Sequence, residues 1–291
     1  MTFARRRISV KFQLGQGDFG EGGFDTVELT GYRMQASITK AGGVSMAQLN
    51  LRIYGLASDI MNRLTILNQD LNQNRHNIVI VSAGDDDAGL SVCFQGTIIE
   101  AWADMNGSPD TSFYLSASEG AFEAAKPTPP ISYNGSIDCA LAAAGIAHQM
   151  GYAFENSGVS AIVRDPYLSG TAIDQLRALA RAGNYNCILD NGTVAIFPPD
   201  QPRKALVPLI SKDTGMVGYP AWTQSGIQVT TLYNPSIVFN GAVKIESILT
   251  PAAGLWLPYS IGHDLESEMP AGKWYTHMDC GLYGYELPIA G

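Results

Sequence analysis

The side chains best suited to chemistry in this 291-residue chain are four histidines, four cysteines and a few clustered acids. The densest acidic spot is Asp85-Asp86-Asp87-Ala88-Gly89. Carboxylate oxygens at such density suit calcium, but the spacing of an EF-hand loop and its closing glutamate are absent. The run lies between two strand-like segments, where Asp and Gly make turns, so a solvated turn is expected. His277-Met278-Asp279-Cys280 invites a Cys–His reading. Residues three apart on a strand point to opposite faces, so that pair is not expected to meet. His148 falls on an apolar helical stripe and reads as a satisfied core histidine, while His76 and His263 belong to no motif. Neither H-E-x-x-H nor G-x-S-x-G occurs. Glu100 and Asp104 are expected to follow a strand end, and Asp264, Glu266 and Glu268 to lie in a loop. Carboxylate pairs that cleave sugars are spatial rather than sequential, and solvated acids are the expectation here. Gly15, Gly17, Gly20, Gly22 and Gly23 form a glycine-rich loop without the helix and lysine of a phosphate cradle, and read as a turn. Asn106-Gly107-Ser108, Asn134-Gly135-Ser136 and Asn191-Gly192-Thr193 match the glycosylation pattern but read as Asn-Gly turns. No catalytic, cofactor-binding or metal-ligating residue is therefore expected, and no cofactor.

The cysteines, Cys93, Cys139, Cys187 and Cys280, are far apart and include no C-x-x-C, so separate buried thiols in a reducing compartment are expected. The N-terminal Arg5-Arg6-Arg7 is not followed by the apolar run of a secretory signal. No long apolar stretch suits a membrane helix. These features imply synthesis in cytoplasm and no membrane partner. Charged residues make up 15% of the chain, well under the usual ~25%. This shortage suggests surface covered by partners. The net charge of −9 argues against a basic nucleic-acid clamp, although DNA could pass an acidic wall without sticking.

Two proline clusters, Pro127-Thr128-Pro129-Pro130 and Pro198-Pro199-Asp200-Gln201-Pro202, mark natural seams, because proline blocks helices and interior strands. They give three parts: 1–126, 127–204 and 205–291. The first reads as strands, with alternation at Ile8/Val10/Phe12, Met34/Ala36/Ile38 and Leu49/Leu51/Ile53. Ile78–Val81 and Leu90–Ile99 read as a hairpin, and Phe113 and Leu115 begin another strand. One helix interrupts, capped by Ser58 with Ile60, Leu64 and Leu67 on one face. In the middle part, Ser136 is expected to cap a helix bearing Ile137, Leu141, Ala144 and His148. Thr171 and Asp174 form a capping box ahead of a helix burying Ile173, Leu176, Leu179 and Ala180, with Gly183 at its left-handed C-cap. Asn191-Gly192 then predicts a hairpin between Tyr185–Leu189 and Thr193–Phe197. The last part returns to strands at Val207–Ile210, Gln228–Leu232, Ile237–Asn240, Val243–Leu249, Leu255–Ser260, Trp274–Cys280 and Tyr283–Leu287. The fold class is mainly β with an α+β insert, a layout suggesting two antiparallel barrels separated by a small α/β domain.

The segments Leu51–Leu56 with Met61–Thr65, Gly96–Ala101, Gly170-Thr171 with Asn186–Pro198, Thr214–Pro220 with Gly226–Pro235, Gly254-Leu255-Trp256 and Trp274-Tyr275-Thr276, in this order, resemble the tailed-phage baseplate hub family, related to phage late-control D proteins and the hub part of VgrG. The resemblance implies two tube-forming β-barrels plus an inserted domain, assembled as a homotrimer whose six barrels form a pseudo-hexameric ring. It further implies a place in the virion baseplate, with the tail tube or distal tail protein on one side and the spike or tip protein on the other. The tape-measure protein's C-terminus is an implied partner, and DNA would pass through the lumen without specific binding. Two alternatives come from other classes. One is a tail-associated cell-wall hydrolase using the middle part, with Asp165 or Asp174 as candidate acids. The other is a carbohydrate-binding tip with Trp222, Trp256 and Trp274 as a platform, although scattered aromatics more often fill a core.

Overall fold

The computed structural model describes residues 5–20, 23–41, 46–66 and 76–283. In chain order the first part contains β1 (Arg6–Gln13), β2 (Thr26–Thr30), β3 (Met34–Ala41), β4 (Gln48–Tyr54), α1 (Ser58–Leu64), β5 (Ile78–Asp85), β6 (Gly89–Asp104), β7 (Ser112–Ser118) and α2 (Ala121–Ala125). The middle contains β8 (Ile131–Ser132), β9 (Ser136–Asp138), α3 (Cys139–Met150), β10 (Ala153–Asn156), β11 (Ile162–Arg164), β12 (Tyr167–Leu168), α4 (Ala172–Gly183), β13 (Asn186–Asp190) and β14 (Thr193–Phe197). The last part contains β15 (Leu209–Ile210), β16 (Ala221–Thr223), β17 (Gly226–Leu232), β18 (Val243–Ile245), a 3-10 turn, β19 (Gly254–Ser267) and β20 (Trp274–Leu282).

The outer parts are one sheet. Its strands run β16-β17-β20-β19-β3-β4-β7-β6-β5-β1-β2, with β15 and β18 attached beside β19. The pairing of β19 with β3, from Ser260↔Ala41 to Ser267↔Met34, joins the two ends of the chain. Directly opposed residues in a sheet share a face, so the registers define rows across seven strands. One row runs Thr231, Thr276, His263, Ile38, Leu49, Ala117, Ile98, and all seven are buried. The next row, Leu232, Tyr275, Asp264, Ser37, Asn50, Ser116, Glu100, faces outward. The period-two alternation of the sequence is therefore kept in register from one end of the chain to the other. The two longest strands, β6 and β19, carry bulges at Ile98/Glu100 and Pro258/Ser260, and β6 meets a second irregularity against Val81/Ser82 of β5. Bulges bend and twist long strands, which lets each change neighbours along its length. No closed barrel is found among the described residues.

Buried apolar residues form three clusters. One fills the first part and reaches Leu265 and Trp274 of the last. A second lies within the insert, where α3 and α4 pack with the β10-β14-β13 sheet. A third lies in the last part and takes in Ile188 from the insert. No helix among the described residues is long and apolar enough to cross a membrane.

Several local expectations hold. The capping box closes, with Thr171 Oγ1 accepting from Asp174 N, and Ile173, Leu176, Leu179 and Ala180 are buried. Asn191 and Gly192 both take left-handed backbone, at φ 53° and 77°, as a primed hairpin turn requires. Other expectations shift. Helix α1 starts after Ala57, an extended residue with no side-chain cap, so Ser58 is helical; Met61 and Leu64 are buried, and Leu67 lies outside the described residues. Ser136 is taken by β9, which pairs with β11, so Asp138 caps α3 through Ala140 N at 2.7 Å. The buried stripe becomes Cys139, Ala142, Ala143, Ile146 and Ala147, leaving Leu141 and His148 exposed. Gly183 is the last residue of α4, and Asn184 takes the left-handed cap. A Cβ on Gly183 would lie 2.8 Å from both Cys139 Sγ and the Tyr185 ring, so glycine there serves close packing onto α3. Residues 237–240 form turns instead of a strand, although Ile237 and Phe239 are buried. The strands expected at Val207–Ile210 and Val243–Leu249 shorten to β15 and β18. Of the last expected strand, Tyr283 is in a turn and the rest lies outside the described residues.

Leu51 is fully buried near the middle of an inward row. Leu51→Ala should cost about 2–5 kcal/mol, whereas Ser37→Ala on the outward face should change stability by about 0.5 kcal/mol or less. Urea midpoints at constant m-value check both.

Candidate functional site

The three parts meet at a buried ionic junction. Asp190, at the end of β13, sits between two cations, with Lys40 Nζ of β3 at 2.7 Å from Oδ1 and Arg203 Nη1 at 2.6 Å from Oδ2. Arg203 also grips Glu155 of β10 with two bonds, Nε to Oε1 at 2.9 Å and Nη2 to Oε2 at 2.8 Å. This fork uses the planar guanidinium geometry. Lys40 further donates to Asn191 Oδ1 at 3.1 Å. The backbone N of Arg203 donates to Asn240 O at 2.9 Å, which ties in the last part. The hairpin turn supplies a further link, with Gly192 N donating to Glu119 Oε1 at 2.8 Å. Asp190 thus ties the insert to β3 through Lys40, while Arg203 binds Glu155 and Asp190 and reaches the last part through its backbone. Burial alone would raise the pKa of Asp190, but Lys40 and Arg203 outweigh it and hold the carboxyl below its usual range. Glu155 is likewise held down against its own burial by Arg203 and Ser157.

Two buried groups titrate against their surroundings. Glu119 is fully buried, its Oε2 has no hydrogen-bond partner among the described residues, and burial pushes its pKa up to about 7. Oε2 of Glu123 beside it likewise has none among the described residues, while its Oε1 lies 3.6 Å from Nε2 of His76, a ring stacked on Phe122 at 3.9 Å. His263 is buried in the inward row with Nδ1 3.0 Å from Thr276 Oγ1, and burial drives its pKa down to about 3.

The outward face of β17, β20, β19, β3, β4, β7 and β6 is mostly polar, with Trp102 and Leu232 as exposed apolar side chains. Its carboxylates are held by neutral donors, Ser37 Oγ to Asp264 at 3.1 Å, Gln35 Nε2 to Glu266 at 3.1 Å and Gln228 Nε2 to Asp279 at 3.1 Å. Arg52 and Lys273 share the face, where the carboxylates outnumber them. The face forms a shallow groove of about 310 Å³ lined in part by Gln35, Asn50, Arg52, Tyr114, Asp264 and Lys273.

The residues singled out in the sequence do not converge. Asp85–Gly89 is the β5–β6 turn, with Asp85 Oδ1 accepting from Asp87 N and Ala88 N. Glu100 and Asp104 lie within β6, and Asp264 and Glu266 within β19, instead of in loops, because both strands run on past their bulges. Glu268 pairs with Arg5. Cys280 is buried and its thiol is pushed up by burial, while His277 lies on the outward face. There His277 Nδ1 lies 3.0 Å from Thr230 Oγ1 and Nε2 lies 3.5 Å from Asp264 Oδ2, a hydroxyl–imidazole–carboxylate chain that sequence reading did not find. Among the described residues, β20 is paired on both edges, so its amides are spent on the β ladder and not on an oxyanion. Among the described residues, no group of three or more His, Cys, Asp or Glu could hold a metal ion. Trp256 and Trp274 are buried, and only Trp222 of the three tryptophans is exposed, so they make no platform.

The fold is shared with tail proteins. A tail protein from Neisseria meningitidis MC58 superposes with a TM-score of 0.60 over 97% of this chain and 99% of its own, at 12% identity. A 43 kDa tail protein of prophage MuSo2 from Shewanella oneidensis gives 0.60 over 96% of each chain, at 10% identity. The E. coli c3393 protein, a type VI secretion component described as similar to T4 tail proteins gp27 and gp5, gives 0.57 over 89% of this chain and 77% of its own, at 9% identity. No curated protein matches the chain in sequence. A family model described as baseplate hub gp41 matches residues 7–280. The chain belongs to this family of phage baseplate hub proteins, and so to the structural components of the virion tail.

Removing one partner of a buried pair strands the others, so Arg203→Ala should lower unfolding free energy by about 3–5 kcal/mol. The exposed pair of Arg164 with Asp165 provides the contrast, because Arg164→Ala should leave the denaturation midpoint nearly unchanged. The pH profile has two limbs of opposite sign. Native Glu119 keeps a proton that the unfolded chain sheds, so it withdraws stability as pH rises from its ordinary 4.5 to about 7. Native His263 refuses a proton that the unfolded chain accepts, so its contribution is full above 6.5 and is lost as pH falls toward about 3. Melting temperature against pH should show Glu119→Gln flattening the loss on the rising limb while the acid limb stays. An unchanged rising limb would assign it to another group.

Proposed function

We propose that this protein is a homotrimeric baseplate hub whose two β parts line a channel through the tail. The observation that carries the reading is the outward face shared by strands of both ends of the chain, on which Asp264, Glu266 and Asp279 outnumber Arg52 and Lys273. Three copies, each contributing parts 1–126 and 205–291 as barrel-like units with 127–204 inserted between them, would place six similar units around an axis. Such a ring can meet a hexameric tail tube or distal tail protein on one side and a trimeric spike or tip on the other. Its wall repels the phosphate backbone, so DNA slides through the lumen without specific binding. The C-terminus of the tape-measure protein would occupy that lumen before ejection. Assembly takes place in the host cytoplasm.

Open sheet ends supply the means of association. The described pairing path ends at β16 and β2, and all three residues of β16 are exposed. Unpaired edges favour strand addition by another chain. Exposed apolar side chains such as Tyr219, Trp222 and Leu255 in the same part favour burial against a neighbour.

In this reading the role is structural and non-catalytic. Asp174 is used by its own helix cap and Asp165 by the Gly135 turn. Light scattering coupled to size exclusion, with negative-stain images, should find a three-fold ring with a central hole. A compact monomer at high concentration would overturn the proposal. Ala221→Lys combined with Thr223→Lys should shift the population toward monomer without lowering the melting temperature of the monomer. Intact peptidoglycan should survive incubation with the purified protein, and release of soluble fragments abolished by Asp174→Asn would favour the enzyme.

A further inference from the structure

Three Asn-Gly pairs lie in turns, and their glycine amides are treated differently. Gly135 N donates to Asp165 Oδ1 at 2.5 Å. Gly192 N donates to Glu119 Oε1 at 2.8 Å, and the Asn191 side chain is itself held by Lys40 Nζ at 3.1 Å and by Val92 O at 3.4 Å. Gly107 differs. Its carbonyl accepts from Asp110 N at 2.8 Å, but its N–H donates to no group among the described residues. Residues 105–110 are all exposed, at the tip between β6 and β7.

We infer that Asn106 is a site of spontaneous deamidation, and that the fold protects Asn134 and Asn191 by engaging the glycine amides that follow them. In the reaction the Gly107 nitrogen attacks Cγ of Asn106. The N–Cγ bond forms, the Cγ–Nδ2 bond breaks, and the amide proton leaves with Nδ2 as ammonia, closing a five-membered succinimide. Water then adds at either carbonyl and opens the ring to aspartate or isoaspartate. No electrons are transferred, and water is the only co-reactant. Attack requires a nitrogen that can lose its proton and approach the side chain. A glycine offers no Cβ to obstruct that approach, and an N–H committed to a carboxylate forfeits a charge-assisted bond if it leaves.

The product changes the tip. A negative charge appears between Asp104 and Asp110, and isoaspartate lengthens the main chain where Asn106 N now donates to Asp104 Oδ1 at 3.1 Å. Asp110, 3.5 Å from Arg33, anchors this tip to the turn before β3. The β6–β7 tip would thus loosen with the age of the molecule, independently of any oligomeric state.

The test is peptide mapping of the full-length protein by mass spectrometry during incubation at mildly alkaline pH, with aspartate and isoaspartate forms resolved. The Asn106 peptide should convert, while the Asn134 and Asn191 peptides persist. In urea all three should convert alike, which assigns the difference to the fold. Asp165→Gly removes the acceptor from Gly135 N, and glycine tolerates the φ of 46° at that position, so Asn134 should join Asn106 in this variant. Persistence of Asn106 through the native time course would overturn the proposal. An inert Asn134 in folded Asp165→Gly would do the same for the protection it assigns to the amide bond.

Discussion

Everything in this molecule depends on the β3–β19 ladder. It pairs Met34–Ala41 with Ser260–Ser267, segments separated by most of the chain. Loop-closure entropy grows only logarithmically with length, so a contact this remote costs little more than a moderately distant one. Its return is large, because the register transmits the alternation of one end onto the other. A slip of one residue would turn Ile38, Ala36 and Met34 outward and expose their row to water. The buried row from Thr231 to Ile98 and the polar row from Leu232 to Glu100 are two consequences of the same pairing.

The ionic junction fixes the insert against the sheet. A buried ion pair adds little net stability compared with apolar packing of equal volume, yet it penalises heavily any arrangement that leaves one member unpaired. Lys40 belongs to the sheet, Asp190 and Glu155 to the insert, and Arg203 to the segment leading into the last part. No rotation of the insert that separates Asp190 from Lys40 can keep all four satisfied. With charged residues at only 15% of the chain, placing four of them here is a large commitment to one geometry. The first proline cluster serves the same end, since Gln175, fully buried on α4, donates to Thr128 Oγ1 and Pro129 O within it.

Where an element is written in short-range chemistry, its sequence showed it. The box at Thr171 and Asp174, the Asn191-Gly192 turn and the alternation of β3, β4 and β7 all rest on neighbours a few residues away. The hub resemblance came from such segments in order, and the family match over residues 7–280 agrees with it. What the sequence hid was decided by distant partners. Ser136 looked like a cap until β11 claimed it as a strand residue, and α3 buries Cys139, Ala142, Ala143, Ile146 and Ala147 instead, with His148 in solvent. Glu100 and Asp264 looked like loop acids because bulges break the alternation that would have extended their strands. The junction itself was invisible. Lys40, Glu155, Asp190 and Arg203 share no spacing, and the only hint was charge at the ends of apolar runs in a chain otherwise poor in it.

Polar faces can be made neutral or charged, and this one is left charged. Asp264, Glu266 and Asp279 meet hydroxyl and amide donors in Ser37, Gln35 and Gln228, although a lysine or arginine at any of those positions would form a cross-strand ion pair. Choosing neutral donors orders each carboxylate without cancelling its field. On an ordinary solvated face that choice is a small sacrifice of pairing energy with no return. On a wall facing a polyanion, it excludes adhesion, since every lysine added would hold phosphate and every carboxylate turns it away. The proposed channel rests on the excess of carboxylates over Arg52 and Lys273 on this face, whereas Lys40 and Arg203 are buried and paired with Asp190 and Glu155.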